Sequence, residues 1–262
     1  MNSLLLLFIF LVLLTLLILG PSGLRNIFGL FLNFSLFFLL VVLINWQLNI
    51  ILLLVFTSVF MLAISIFFSS DNERVTGIAF KSSLIVVLSL LLLALIVQHF
   101  GFFQGYTIDN MDELEGLSLN IGLNFSDVAV VVMVISMLGA VAEAAMAITA
   151  DLSELIEQSE ENMQELTVSE LLQHRQIVSQ QILGTSINTL FFGMFGATMA
   201  LIFWYVRLGD SLALVLNSKL LLMEVVSMLL GMIGILLVIL LSGHYVVKSF
   251  ISQKKTDKQF PD

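Results

Sequence analysis

Two carboxylates, Glu143 and Glu224, stand inside long apolar runs of this chain. A charge in hydrocarbon is costly, so an acid there normally faces the interior of a helix bundle and marks a pathway or a site. No lysine or arginine lies within any of the runs to pair with them, so each must be neutral, ion-bound or hydrogen-bonded to neutral polar groups. Such groups can pass or hold a proton or a cation. Around them the small and polar residues recur at helical spacing. Ser136, Gly139, Glu143 and Ala147 share one face; Thr185, Thr189, Gly193 and Ala197 follow at four-residue steps beside Asn188; Glu224, Ser227, Gly231 and Gly234 repeat the pattern. Small residues let helices approach closely, which makes Gly139, Gly193, Gly231 and Gly234 the expected packing points of one three-helix core.

Depth separates the roles. Glu143 lies about 22 Å below the outer end of its run and Asn188 enters the next run from the inside by about 9 Å, so the two are expected to meet. With Thr185 and Thr189 they would form an inner station. Glu224, with Ser227, is only about 6 Å from its outer end, about 16 Å along the axis from Glu143, which points to two separate stations rather than a carboxylate pair sharing a proton. Other readings stand beside these: Glu224 can lean outward to the interface, a buried Glu can bridge helices by hydrogen bonds, and the Asn188 group can serve as helix glue.

The elements that would carry these residues follow from composition. Of 262 residues 59% are hydrophobic and 11% charged, with two prolines and no cysteine, and the mean hydropathy is +1.09. That excludes a water-soluble globular domain. A bilayer core of about 30 Å needs about 20 apolar residues per helix, and seven runs fit: 4–19, 27–44, 48–68, 84–100, 128–148, 182–206 and 220–241. The expected architecture is an all-α polytopic membrane protein, a single membrane domain over 1–262. It comprises a four-helix part over 1–100, a three-helix core over 127–245 with an amphipathic segment at 149–182, and a basic tail over 246–262. The first run is expected to be an uncleaved span, because Met1-Asn2-Ser3 carries no basic residue and no A-x-A-like site follows Leu19. Asn45-Trp46-Gln47 reads as a tight hairpin with an interfacial Trp.

Alternating seven spans puts Arg25, Arg74, Lys81, Arg175, Lys248, Lys254, Lys255 and Lys258 on one side, and Arg207 and Lys219 on the other. By the positive-inside rule the C-terminus is cytoplasmic and the N-terminus outside. The segment 149–182 is then cytoplasmic, and Thr167-Val168-Ser169-Glu170 in it is a capping box that opens an amphipathic helix leading into the sixth span. It can be a solvated connection or a docking surface for a partner. The outside loop, 101–127, is acidic but lacks the alternating ligand pattern of a calcium loop, so it reads as solvated.

The net charge of −9 and the scatter of ten basic residues argue against nucleic acid. No cysteine and three histidines far apart in sequence leave no evident metal site or cofactor. His99 and His244 sit at span ends, and no G-x-S-x-G, H-E-x-x-H or Walker A pattern occurs, so an enzyme is not expected.

The stretch from about Asp127 to Leu241 resembles the YibE/F-like family of bacterial multi-spanning membrane proteins. The resemblance rests on Gly139-Ala140-Val141-Ala142-Glu143-Ala144-Ala145, on Ile148 and the Glu154-bearing linker, on Gly184-Thr185-Ser186-Ile187-Asn188-Thr189-Leu190, and on Glu224 with Gly231-Met232-Ile233-Gly234. The chain departs from the family pattern where Glu143 replaces an Asp, where Ser179-Gln180 or Gln180-Gln181 replaces an Arg-Asp pair, and where Leu240 and Leu241 replace a Pro. The resemblance implies a bacterial plasma-membrane protein with no assigned reaction, the shorter of a pair of which a longer membrane protein is the other member. The leading functional expectation is a permease component in the lipid bilayer, partnered by that longer protein or by itself. The alternative is a non-transporting scaffold or signalling subunit that recruits a partner through its cytoplasmic helix.

Overall fold

The computed structural model describes residues 3–46, 48–101, 125–162, 166–209 and 211–259. The acidic outside loop lies almost wholly outside the described residues. Within them the chain is all-helical: α1 (Ser3–Leu19), α2 (Pro21–Asn45), α3 (Ile50–Phe67), α4 (Glu73–Gly101), α5 (Phe125–Glu161), α6 (Val168–Leu208), α7 (Leu212–Leu216) and α8 (Lys219–Gln259). Six helices, α2 to α6 and α8, are long and apolar enough to cross a bilayer. The 17 residues of α1 reach only about 25 Å, short of a hydrocarbon core unless the bilayer thins around it.

Local chemistry sets the turns. Gly20, at φ 59, allows the chain to reverse between α1 and α2, and Pro21 opens α2 where a missing N–H costs nothing. Gly23 lies so close to α1 that a Cβ there would meet the Thr15 carbonyl oxygen at 2.7 Å. Asn49 caps α3 by accepting from the Leu52 N–H (3.0 Å), and the exposed Trp46 sits in the α2–α3 hairpin.

α5 is the axis of the bundle. It packs on α8, α4 and α3 and more lightly on α6. Met133, Met137, Ile148 and Leu152 on α5 are fully buried, with Leu90 on α4 and Ile235 and Ile239 on α8. Lipid is as apolar as leucine, so helices there associate through close packing and hydrogen bonds between them. Both are present: a Cβ on Gly234 would lie 2.7 Å from Val141 and 2.8 Å from Leu90, where α8, α5 and α4 converge, and Ser82 on α4 meets Ser242 on α8 at 2.5 Å.

α5, α6 and α8 are far longer than a bilayer requires. The 41 residues of α6 and of α8 each span about 61 Å, twice the hydrocarbon thickness. The excess projects from one end of the bundle and packs there through Leu152, Ile156, Leu171, Val246 and Phe250. The tail at 246–259 therefore continues α8 without a break.

That end collects most of the basic residues. Arg25 pairs with Asp71 and its Nε donates to the Phe68 carbonyl (3.0 Å). Arg74 donates to Ser249 (3.0 Å) and Gln253 (2.9 Å), Lys254 donates to the Leu166 carbonyl (3.1 Å), and Lys81 lies 5.1 Å above the Tyr245 ring. His174 on α6 meets Asp151 on α5 at 2.7 Å. Arg207 ends α6 and Lys219 begins α8 at the opposite end.

The capping box has the expected geometry. Thr167 accepts from the Glu170 N–H (3.3 Å), while its own N–H (2.9 Å) and hydroxyl (2.8 Å) donate to the Glu170 carboxylate. The backbone bond first and then the hydroxyl hold the Glu170 pKa below the usual 4.5, and Lys254 adds a smaller pull in the same direction against an opposing effect of burial. The amphipathic helix it opens runs unbroken into the sixth span.

Candidate functional site

Glu143 does not meet Asn188. Its carboxylate lines an open recess of about 630 Å³ between α3 and α5. One wall is Ser65, at the end of α3, with Ser69 and Ser70 in the turn that follows. The other is the small-residue face of α5, with Gly139, Ala142, Glu143, Met146, Ala147 and Ala150. From Gly139 to Ala150 the recess runs about 16 Å along α5, with Glu143 between them and exposed. No group lies within 4 Å of where a Gly139 Cβ would sit. The glycine leaves room in the recess rather than admitting a neighbouring helix.

A third helix supports the serine wall. The Asn33 side-chain amide on α2 donates to Ser65 Oγ (2.9 Å), and the Asn33 carbonyl oxygen is buried with no partner among the described residues. This contact had a trace in the sequence. Asn33 lies 12 positions before Asn45, where α2 ends, and Ser65 lies 15 after Ile50, where α3 begins, so an antiparallel pair brings them to within about one helical turn of the same level. Ser69 follows Ser65 by four positions. No ion pair to Glu143 forms among the described residues, where the charged pairs are Arg25 with Asp71 and His174 with Asp151.

The other expected residues lie elsewhere. Thr185, Asn188, Thr189 and Gly193 are exposed on α6, and nothing approaches a Cβ at Gly193 within 4 Å. Thr185 donates back to Gln181 (3.0 Å) and Ile182 (3.1 Å), and Thr189 to Thr185 (2.9 Å), so both hydroxyls are satisfied within their own helix. Asn188 has no hydrogen-bond partner among the described residues. The three helices of the expected core do pack together, α5 on α8 and α6 on both, while α4 and α3 join them on α5. α6 buries only Leu171, Val178 and Thr198. It reaches the core midway, where Leu190 lies 3.2 Å from the position of a Gly231 Cβ.

Glu224 is half-buried near the far end of α8, with no partner among the described residues, and Ser227 is buried and donates back to Met223 (2.9 Å). Neither lines the recess. Gly231 and Gly234 do lie at helix crossings, whereas Gly139 and Gly193 face open space.

A family model described as YibE/F-like protein matches residues 6–251. The chain belongs to the YibE/F-like family. The match takes in the first four helices as well as the stretch 127–241, so Asn33 and Ser65 fall within the family region together with Glu143. No curated protein and no solved structure matches this YibE/F-like chain.

Proposed function

We propose that this YibE/F-like membrane protein is a permease component whose polar route passes through the recess at Glu143. The observation that carries the reading is the placement of one intramembrane carboxylate, without a counter-ion among the described residues, on an open recess opposite three serine hydroxyls. The Ser69 and Ser70 side of the recess adjoins the turn that carries Asp71, at the basic end, which the positive-inside rule puts in the cytoplasm. The proposed inner station is therefore Glu143 with Ser65, Ser69 and Ser70. Asn188, Thr185 and Thr189 are not part of it.

A second observation bears on partners. Asn188, exposed within an apolar span, is the kind of group that pairs across a helix–helix contact in lipid. This favours a partner chain against α6, either a longer family member or a second copy. The scaffold reading has less support, because the amphipathic start of α6 is used within the chain: Leu171 and Val178 are buried and His174 is bonded to Asp151.

The test is a flux or pH-dependent growth assay on Glu143→Gln and Asn188→Leu, with both variants checked for membrane insertion and monodispersity. The reading expects loss of activity in the first. Full activity in Glu143→Gln would remove the recess from the route.

A further inference from the structure

The recess is too large and too apolar for a bare ion. At about 630 Å³ it falls within the range of small-molecule pockets, and between its polar groups the wall consists of Gly139, Ala142, Met146 and Ala147. Its charge chemistry is one-sided. No Lys, Arg or His lines it, so an anionic ligand finds no counter-charge. The single carboxylate also falls short of a calcium site, which takes six to eight oxygen ligands, usually with several carboxylates.

Resting on the permease reading, we propose that the recess binds a primary ammonium carried on an aliphatic body. An ammonium offers three donors and no acceptor. The recess answers with acceptors: the Glu143 carboxylate, the Ser69 hydroxyl, and the second lone pairs of Ser65 Oγ and Ser70 Oγ, which already accept from Asn33 (2.9 Å) and from the Asn72 N–H (3.2 Å). Pairing of N⁺–H with a carboxylate is among the stronger hydrogen bonds available to a protein. The aliphatic part lies against Met146 and Ala147. A free alkylamine and the headgroup of an aminophospholipid share this ammonium. The headgroup also carries a phosphate, for which the lining offers no cation, so the free amine fits better.

The experiment measures saturable binding of radiolabelled octylammonium to the full-length protein in phosphatidylcholine nanodiscs, with octanol as the uncharged control and empty nanodiscs as the partition blank. Specific binding of octylammonium and not octanol is expected, weakened about tenfold or more in Glu143→Gln. Ala147→Leu narrows the recess while keeping the carboxylate, and should weaken binding as well. Competition by added phosphatidylethanolamine would identify the lipid headgroup as the ammonium source and leave the ligand chemistry standing. Octylammonium binding that equals the partition blank, or is unchanged in Glu143→Gln, overturns the proposal. If Glu143-dependent flux of protons or sodium persists in that case, the permease reading survives without it; if that flux is also absent, both readings fall.

Discussion

Two stripes of small and polar residues, one on α5 and one on α6, are nearly alike as sequence and have opposite fates. The α5 stripe, Gly139, Glu143 and Ala147, opens onto a recess whose far wall comes from α3. The α6 stripe, Thr185, Asn188, Thr189 and Gly193, turns away from the bundle. Both share the composition that lets helices approach, and neither is where this chain's helices approach most closely. The close approaches fall at Gly23, between α1 and α2, and on α8 at Gly234 and Gly243. A small-residue stripe thus marks a face with room beside it, and its neighbours decide whether the room is filled by a helix, left open, or turned to lipid.

The sharpest way to break the comparison is to fill each kind of site with the same side chain. Gly234→Leu must displace Val141 or Leu90 at the convergence of three helices, and overpacking of that kind costs on the order of 1–3 kcal/mol or more. The expected outcome is loss of monodisperse protein on detergent extraction. Gly193→Leu, on the open face, should leave the thermal melt of the isolated chain unchanged; an equal loss in both would mean that α6 is packed after all.

Next in size is the contrast in function. Glu143→Gln should lower transport about tenfold or more, equivalent to ~1.4 kcal/mol, with no change in melting, whereas Thr185→Ala and Thr189→Ala, whose hydroxyls bond only within α6, should leave transport near wild type. Reversal of that ranking in a proteoliposome assay would move the route to α6. A smaller effect is expected at Asn33→Leu. Hydrogen bonds between membrane helices average about 0.6 kcal/mol, so the melt should shift only slightly while any activity that depends on the Ser65 wall falls.

The smallest effect is at the capping box. Because the folded Glu170 pKa is lowered, its contribution is present above the unfolded value near 4.5 and is lost as pH falls through the folded value. Amide exchange over residues 168–172, normalised for intrinsic rate, should therefore speed up below about pH 4.5, and Glu170→Gln should flatten that dependence.

Several features were legible because they are local. The apolar runs translate into helices of bilayer length, Thr167 and Glu170 specify a helix start by their three-residue spacing, and Gly20-Pro21 marks a reversal. Asn33 and Ser65 are polar residues within spans, and their similar distances from the α2–α3 turn put them within about one helical turn of each other. The expected meeting of Glu143 and Asn188 failed for a definite reason. It rested on depth along two helix axes, and depth says nothing about rotation. Glu143 points to α3, and Asn188 points out.

By itself the amino-acid sequence determined that this chain is a multi-span helical membrane protein, which residues cap and break its helices, and that Glu143 is an intramembrane carboxylate without a basic partner in its spans. Each of these depends on composition or on spacing of a few residues along one element. Only the tertiary structure decided which helix faces which: that α5 is the axis, that Ser65 on α3 and the serines of the turn after it stand opposite Glu143, and that α6 leaves a polar face uncovered. Helix rotation within a bilayer is set by the fit of all neighbouring side chains at once, in a solvent as apolar as the helices themselves. No single stripe carries that information.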